Sequence, residues 1–304
     1  MNIEKGKRVN HLIDQSKSLI AHFVFSLCIA CTIPLASAEA DHDEPAADAD
    51  NNSIWRFLDR QYLLDNGYEL PGRFGIAPFI LASQSELEVD GLKFSFSEDD
   101  PLSSNPIVTM DDLESDIINS GVLLDYWLLP FLSIYGTVGY LDGEMDTAVN
   151  VPGSSQPIPI DFTGTSYGLG ANIVIPYKQA FLLLDYNYMK MDTSAYEKKI
   201  PMETMTARLG WKFSGRWLPE MAWASYIDTT FKGTFDLLQQ VGKDVDPGSV
   251  PPGTESVYLQ FQVAPYHTYA LGGQWKINDS FHVVAELGVG TVESLLVALN
   301  YRWD

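Results

Sequence analysis

The segments FHVVAEL at 281–287 and LLVALNYRW at 295–303 decide how this chain folds. In the first segment every second residue is apolar, and His282 and Glu286 share the opposite side. In the second segment the apolar side ends in two aromatic residues, and the opposite side carries Arg302. Because successive side chains of a strand point to opposite faces, each segment is predicted to be a strand with one apolar and one polar face.

The same alternation recurs upstream, in the segments 166–173, 182–188 and 204–213. Alternation alone fits a soluble sandwich as well as a membrane barrel, since the sheets of both have one polar face and one apolar face. Three further features favour a membrane barrel. The predicted strands reach about ten residues, whereas soluble strands average about five or six. Aromatic residues gather at the ends of the segments, as they do at a membrane interface, and short connections alternate with long ones.

The connections predict the number of strands. Short turns are expected near 129–131, 176–178, 214–216 and 278–280. Longer acidic connections are expected at 98–115, 142–161, 191–200 and 236–255. The strands between them are 73–97, 116–129, 132–142, 162–175, 179–191, 202–213, 217–235, 256–276, 280–288 and 292–303. Ten strands satisfy the even number of bacterial barrels. Pro78 and Pro265 interrupt two strands, so eight and twelve strands stay open as alternatives.

The amino terminus is predicted to be a secretory signal peptide at residues 1–38. Basic residues precede an apolar run from Leu19 to Cys31, and Ala36-Ser37-Ala38 offers a small-residue cleavage site. An uncleaved anchor helix is the alternative. Both cysteines of the chain lie in this segment, so the exported chain is expected to have no disulfide. Residues 39–70 are predicted to form an acidic disordered tail and a short periplasmic helix, and residues 71–304 to form the barrel.

Composition excludes several classes of protein. The chain has 40 acidic residues against 19 Lys plus Arg, and its formal charge is -21. This balance argues against a nucleic-acid partner, because binding to phosphates needs clustered basic residues. With 46% hydrophobic and 12% aromatic residues, the chain is too apolar to be disordered throughout.

Together these features resemble a Gram-negative outer-membrane β-barrel over residues 73–304. The resemblance rests on the signal peptide, the alternation, the rhythm of the connections and the Tyr301-Arg302-Trp303 ending. It implies an all-β fold, a transmembrane antiparallel up-and-down barrel in the outer membrane, with outer-membrane lipid and lipopolysaccharide as partners. It also implies that the barrel-assembly machinery recognises Tyr301 and Trp303, although Asp304 follows where such barrels commonly end in an aromatic residue.

The predicted register directs seven charged side chains into the lumen. They are Asp125, Asp185, Arg208, Lys212, Glu220, Glu286 and Arg302. These residues either line a polar passage or pair with one another and fill a narrow interior. The filled interior is favoured, because a barrel of ten strands is only slightly wider than barrels whose interior is occupied by side chains. The acids are then expected to pair with the three basic residues, since an unpaired buried charge is costly.

The sequence offers candidates for two kinds of site, a hydrolase site and a divalent-cation site. Barrel hydrolases use a histidine with Ser, Asp or Asn partners, and His267 is the plausible candidate, but no such partner adjoins it in the sequence. We therefore expect no enzyme activity and no cofactor. Asp142, Glu144 and Asp146 carry the oxygen ligands that Ca²⁺ or Mg²⁺ prefers, yet their spacing is not that of a regular cation loop. A solvated acidic surface is favoured over a dedicated metal site there.

Three functions are compatible with the sequence. The favoured one is a closed or narrow barrel whose acidic loops act in surface interaction or envelope integrity, because nothing beyond the barrel argues for transport or catalysis. The second is a narrow channel for a small solute, gated by residues 53–65. The third is a barrel enzyme that acts on lipid or peptide. A surface ligand or a small solute would be the partner in the first two cases.

Overall fold

The computed structural model describes residues 60–61, 70–95, 109–151, 154–194, 199–213, 219–236, 258–263 and 266–304. The predicted signal peptide and almost all of the acidic tail lie outside these ranges, and residues 60 and 61 are helical. The described part of the chain contains no helix that is long and apolar enough to cross a membrane. Residues Pro71–Asp304 form one structural unit.

That unit is built of antiparallel strands. They are β1 (Phe74–Leu87), β2 (Val89–Ser95), β3 (Thr109–Met110), β4 (Leu113–Leu129), β5 (Leu132–Val151), β6 (Ser154–Tyr177), β7 (Ala180–Thr193), β8 (Ile200–Lys212), β9 (Met221–Asp236), β10 (Tyr258–Val263), β11 (Tyr266–Lys276), β12 (Phe281–Gly290) and β13 (Val292–Trp303). The predicted strand 73–97 is present as β1 and β2, and the predicted strand 256–276 as β10 and β11.

Ten of these strands close into a barrel. Pairing runs β1-β4-β5-β6-β7-β8-β9-β11-β12-β13 and returns to β1. At the closing seam Phe74 lies opposite Trp303, and Ser85 lies opposite Val292. The predicted closed antiparallel barrel with ten strands is therefore confirmed. Closure matters physically because no strand edge is left with unpaired backbone groups in the hydrocarbon layer.

The outside of the barrel carries a wide apolar band. Val138 is 59% exposed and Leu169 is 73% exposed, and such large apolar side chains occur all around the ring. Further members are Ile80, Leu124, Ile134, Ile173, Leu184, Met205, Leu209, Leu271, Val297 and Leu299. A continuous exposed apolar belt of this kind is the surface that a transmembrane barrel presents to lipid.

Aromatic residues border the band at both ends. The end of the barrel that holds the short turns, Phe74 and Trp303 is here called the inner end, and the opposite end is the outer end. The inner aromatic ring consists of Phe74, Tyr126, Tyr177, Trp211, Phe281, Tyr301 and Trp303. The outer aromatic ring consists of Tyr140, Tyr167, Tyr188, Tyr226 and Tyr269. Amphipathic aromatic side chains of this type sit at the level of the lipid head groups, so the two rings mark the membrane-spanning part.

The segment 142–161 differs from the prediction. It was expected to be a long acidic loop, but β5 and β6 continue as a paired ladder up to the Val151 and Ser154 pair. Apolar side chains such as Leu141 and Met145 still alternate with the acids here and are buried inside. The period-two pattern therefore continues beyond the membrane, where the outward face becomes polar.

The hairpin of β12 and β13 is the lowest part of the wall at the outer end. It turns at Gly290, which has a φ of 131°. A Cβ at this position would lie 2.9 Å from the carbonyl oxygen of His267, so the turn packs closely against β11. Beyond this turn the neighbouring strands continue as β2 and β10, which pair directly with each other. Beyond this turn, β12 and β13 therefore no longer form part of the wall.

Candidate functional site

A buried ion pair lies across the middle of the lumen. The guanidinium of Arg208 on β8 binds the carboxylate of Glu286 on β12 through two hydrogen bonds, Nε to Oε2 at 2.9 Å and Nη2 to Oε1 at 3.2 Å. The Trp223 indole nitrogen and the Ser225 hydroxyl on β9 donate to the same carboxylate. Bidentate pairs of this kind are among the strongest side-chain interactions, so three strands are tied together inside the barrel.

A second contact extends this network around the wall. The hydroxyl of Tyr135 on β5 donates to Oδ2 of Asp185 on β7 at 2.8 Å. Asp185 also interacts electrostatically with Arg208. The linked side chains therefore run from β5 to β12. We call Tyr135, Asp185, Arg208, Glu286 and Trp223 the lumen network.

Two aromatic members of the network lie flat against the wall. The ring of Tyr135 covers Gly170 on β6, and the indole of Trp223 covers Gly272 on β11. A Cβ added to either glycine would collide with the ring that covers it. The missing side chains thus create the space in which the aromatic groups lie.

A second group of polar side chains occupies the inner end. Arg302 binds Asp125 through two hydrogen bonds of 2.9 and 3.1 Å, and Asp125 is buried whereas Arg302 is half-buried. Next to them, Glu220 accepts a hydrogen bond of 3.2 Å from Gln274 and lies 3.5 Å from Nε2 of His282. This group lies at the inner end, apart from the lumen network.

The predicted lumen residues thus separate into two groups. The structure brings Asp185, Arg208 and Glu286 together at mid-height, and places Asp125, Glu220 and Arg302 at the inner end. Lys212 is the last residue of β8 and lies opposite Met221 at the inner end of the ladder.

Sequence reasoning missed Tyr135, Trp223 and Ser225, because an uncharged inward residue gives no charge signal. A bulky inward residue opposite a glycine of the next strand is the signal that could have found the two aromatic residues. Ser225 offered no such signal, since its role depends on the position of Glu286.

The polarity of the wall reverses beyond the outer aromatic ring. Inward side chains there are apolar and buried, and Leu113 is only 1% exposed. The others are Leu141, Met145, Ile160, Phe162 and Ile200. Between the aromatic rings the outside is apolar and the inside polar, whereas here the outside is polar. This is the pattern expected where the barrel wall leaves lipid and meets water.

Asp142, Glu144 and Asp146 lie on the outward face of this extension, in β5 rather than in a loop. Burial and the carboxylates of Glu144, Asp146 and Glu114 raise the pKa of Asp116 on β4 to about 6. Within the described ranges, no three or more His, Cys, Asp or Glu side chains are grouped so that they could hold a metal ion. The predicted cation contacts therefore find no support in these strands.

His267 lies on the outward face of β11, beside the outer aromatic ring. Its Nδ1 is 3.0 Å from Oδ2 of Asp228 and 2.8 Å from the Tyr226 hydroxyl, both on β9. No carboxylate partner adjoins His267 in the sequence, but the structure supplies one, Asp228. It was missed because the β9–β11 register, and not sequence proximity, places it directly opposite the histidine.

The carboxyl terminus completes the seam. The rings of Tyr301 and Trp303 stack at 5.4 Å on the outward face, and the Trp303 ring lies 5.9 Å from Phe74. Oδ1 of Asp304 accepts a hydrogen bond of 3.2 Å from the backbone N–H of Arg73. The residue that departs from the usual aromatic ending thus links the two ends of the barrel. Recognition of Tyr301 and Trp303 by an assembly machinery stays a prediction.

Comparisons with known proteins reveal similarity in fold. No protein-family model matches the chain. No curated protein matches it either. Among solved structures, the outer membrane protein OprG from Pseudomonas aeruginosa is 11% identical, with 77% of this chain and 98% of that chain covered and a TM-score of 0.37. The translocator domain of the autotransporter NalP from Neisseria meningitidis is 10% identical, with 80% and 93% covered and a TM-score of 0.35.

The outer membrane protease OmpT from Escherichia coli is also 10% identical, with 77% of this chain and 98% of that chain covered and a TM-score of 0.36. These proteins differ in function. At such identities and TM-scores, no residue role passes from them to this chain.

Proposed function

We propose that this protein is an outer-membrane barrel with an occluded lumen that acts through its outer surface, in surface interaction or in the integrity of the envelope. The observation that carries this proposal is the lumen network, which links side chains from β5 to β12 at mid-height. The pair of Arg302 and Asp125 lies at the inner end, apart from this network.

The energetics favour an occluded lumen over a narrow channel. A solute that passed along the axis would have to displace the Arg208–Glu286 pair and leave both charges without partners. Separating the members of a buried pair typically costs about 3–5 kcal/mol. We therefore place the function outside the lumen.

The outer surface has features that suit contact with other molecules. The β5–β6 ladder extends past the outer aromatic ring, and its outward face carries Asp142, Glu144 and Asp146. The chain as a whole has a formal charge of -21, so this surface is expected to favour cationic partners. Residence in the outer membrane is supported by the exposed apolar band and by the predicted signal peptide.

Bilayer recordings test the proposal. We expect the full-length exported protein to give no stepwise currents in a planar bilayer. The triple variant Asp185→Asn, Arg208→Ala, Glu286→Ala should conduct, because it removes the pair from the lumen and does not leave the Asp185 carboxylate without its cationic partner. Leu299→Ala, which changes the lipid-facing side of β13, serves as the control and should remain silent. Stepwise currents from the unaltered protein would contradict an occluded lumen.

Deletion of residues 39–65 separates two kinds of obstruction. If the lumen network blocks the barrel, the deletion leaves the protein silent. If the amino-terminal segment gates a channel, the deletion alone opens it, and the network is then not the barrier.

A second candidate function is hydrolysis of lipid or peptide at the outer aromatic ring. One observation favours it, the 3.0 Å contact between Asp228 and His267, because a carboxylate on Nδ1 orients an imidazole for base catalysis. Lipase, deacylase and peptidase assays that compare the unaltered protein with His267→Ala test it. The occluded-barrel proposal expects no activity in either form, and activity that disappears with the histidine would establish the enzyme.

A further inference from the structure

Two lysines stand out on the outward face of β6, β7 and β8, at the level of the outer aromatic ring. Lys190 on β7 lies opposite Tyr167 of β6 in the ladder. Lys199 directly precedes β8. In a chain with 40 acidic and 19 basic residues, two neighbouring ammonium groups at a membrane interface call for a physical explanation.

Both ammonium groups are positioned by tyrosines. Nζ of Lys190 is 5.9 Å from the centre of the Tyr188 ring. Nζ of Lys199 is 5.1 Å from the centre of the Tyr167 ring and donates a hydrogen bond of 2.9 Å to its hydroxyl. The constellation therefore extends over three strands of a rigid wall. Such preorganisation lowers the entropic cost of binding a ligand.

Two carboxylates share this surface, and one of them is Glu203 on β8, which lies opposite Tyr188 in the β7–β8 ladder. Oδ2 of Asp192 lies 3.4 Å from Nζ of Lys199 and offsets one of the two positive charges. The hydrogen bond to Tyr167 and the contact with Asp192 raise the pKa of Lys199, so its ammonium stays charged at neutral pH. Within the described residues, no carboxylate is within ion-pair distance of Lys190. The Lys190 ammonium therefore keeps its N–H donors for an anionic ligand.

The wall below the lysines is apolar. Leu169 is 73% exposed and lies opposite Tyr188 in the β6–β7 ladder. Met205 is 59% exposed and lies opposite Tyr186 in the β7–β8 ladder. An amphiphile with its anionic group at the lysines would place its acyl chains along these side chains.

We propose that Lys190 and Lys199, with Tyr167 and Tyr188, form a site for the phosphate head group of a lipid in the outer leaflet. The ammonium groups supply charge-assisted hydrogen bonds to the phosphate oxygens, and the apolar strip of Leu169 and Met205 holds the acyl chains. This inference rests on the proposed placement of the barrel in the outer membrane and names a lipid partner for its outer surface. It does not depend on whether the lumen conducts.

A membrane lipid suits this surface better than a soluble anion. The site lies at the aromatic ring, where lipid phosphates are found, and it continues into the apolar band. The outward face of the neighbouring strands carries Glu114, Asp116 and Asp161, whose charges repel free anions. An anion that is anchored by acyl chains is already held at the right depth.

Native mass spectrometry of the full-length exported protein in detergent tests the site with dioleoyl phosphatidic acid as the probe. We expect one phosphatidic acid to be retained, and no dioleoyl phosphatidylcholine. A lysine near a lipid surface contributes about a fivefold change in affinity. Lys190→Gln should therefore weaken retention about fivefold, and the double variant Lys190→Gln, Lys199→Gln roughly twentyfold. Unchanged retention in the double variant would overturn the proposal.

Two further variants distinguish a specific binding site from non-specific electrostatic attraction. Asp192→Asn should tighten retention, because it frees Lys199 from its competing carboxylate. Lys178 is the matched control, since its Nζ is 6.0 Å from the Tyr177 ring at the inner end. Lys178→Gln should change retention less than about twofold. Weaker retention in Asp192→Asn, or an equal loss in Lys178→Gln, would show that the constellation is not a site.

Inorganic phosphate distinguishes the two sources of the anion. An excess of free phosphate should leave the bound phosphatidic acid in place, because the acyl chains contribute to binding. Complete displacement would overturn the assignment to a lipid. None of these variants alters the lumen network, so bilayer recordings on the same proteins test the occluded barrel independently.

Discussion

Two aromatic side chains inside the barrel occupy space that a glycine on the neighbouring strand leaves free. Tyr135 reaches Asp185 only by lying across Gly170 of the intervening strand, and Trp223 reaches Glu286 across Gly272. A glycine here has a packing role, because its missing side chain is the volume that the aromatic ring occupies. The hydrogen bonds of the lumen network depend on this volume.

The first prediction concerns Gly170→Ala. The added methyl group collides with Tyr135, so we expect the free energy of unfolding to fall by about 1–3 kcal/mol, the usual cost of overpacking. Urea unfolding of the reconstituted protein measures it. In a background of Tyr135→Ala the same substitution should cost almost nothing. An equal cost in both backgrounds would place the strain in the backbone and not in the ring contact.

Asp116 gives a prediction about pH. Because its pKa is raised to about 6 in the folded protein, its charged form disfavours folding. The penalty is complete above about pH 6 and vanishes below the ordinary aspartate value of 3.8. We expect Asp116→Asn to be more stable than the unaltered protein at pH 8, by about 1 kcal/mol after solvent screening. The advantage should disappear by pH 4, and an advantage that persisted there would point to packing instead of charge.

Within one strand, the same alternating pattern occurs both in the part that faces lipid and in the part that faces water. On β5, Val138 faces lipid and Tyr135 faces the lumen, whereas farther along the strand Met145 faces inward and Asp146 faces water. The period of two is constant, but the apolar residues change from the outer to the inner face beyond the outer aromatic ring. The side on which apolar residues lie therefore marks where the strand leaves the membrane.

Strand β13 provides the test of this assignment. Val297 is 44% exposed on the lipid side, and Ala298 lies on the lumen side opposite Val284 of β12. We expect Val297→Arg to be less stable than Val297→Gln by about 2–4 kcal/mol, because a charge in the hydrocarbon layer is costly. The comparison with Gln removes the effect of size. The same pair of variants at Ala298 should differ much less, and an equal difference at both positions would refute the register.

At the scale of the whole molecule, the barrel changes its strand number along its axis. Ten strands surround the membrane-spanning part, but β12 and β13 end at Gly290 and Val292. Beyond them β2 pairs with β10, and β10 pairs with β9. The pairing of β2 with β10 covers strand edges that would otherwise be free to pair with other chains.

Two introduced cysteines test the pairing of β2 with β10. Leu92 and Phe261 are direct partners in the β2–β10 ladder. Direct partners bring their Cβ atoms within disulfide distance, so Leu92→Cys with Phe261→Cys should cross-link on oxidation. Leu92→Cys with Gln260→Cys is the control, because a shift of one residue places the two thiols on opposite faces. Electrophoresis without reductant measures the cross-link, and equal cross-linking in both pairs would contradict the register.

Sequence alone was sufficient for the barrel itself. The alternation of apolar and polar residues is a local property, and the short turns set which strands are neighbours, so the sequence favoured ten strands and left eight and twelve open, and closure of the ring settled the number. The exception was segment 142–161, where the acids suggested a loop. A local pattern of alternating polarity does not by itself tell which face meets water, and the pairing of β5 with β6 decided it.

The candidate sites depended on tertiary structure. Arg208 and Glu286 are 78 residues apart, and Asp228 and His267 lie on two neighbouring strands whose register places them directly opposite each other. Charge and periodicity select the face on which each side chain lies, but they do not select its partner on another strand. Partners are fixed by register and by the circular order of the strands, which are properties of the assembled barrel and not of any segment of its sequence.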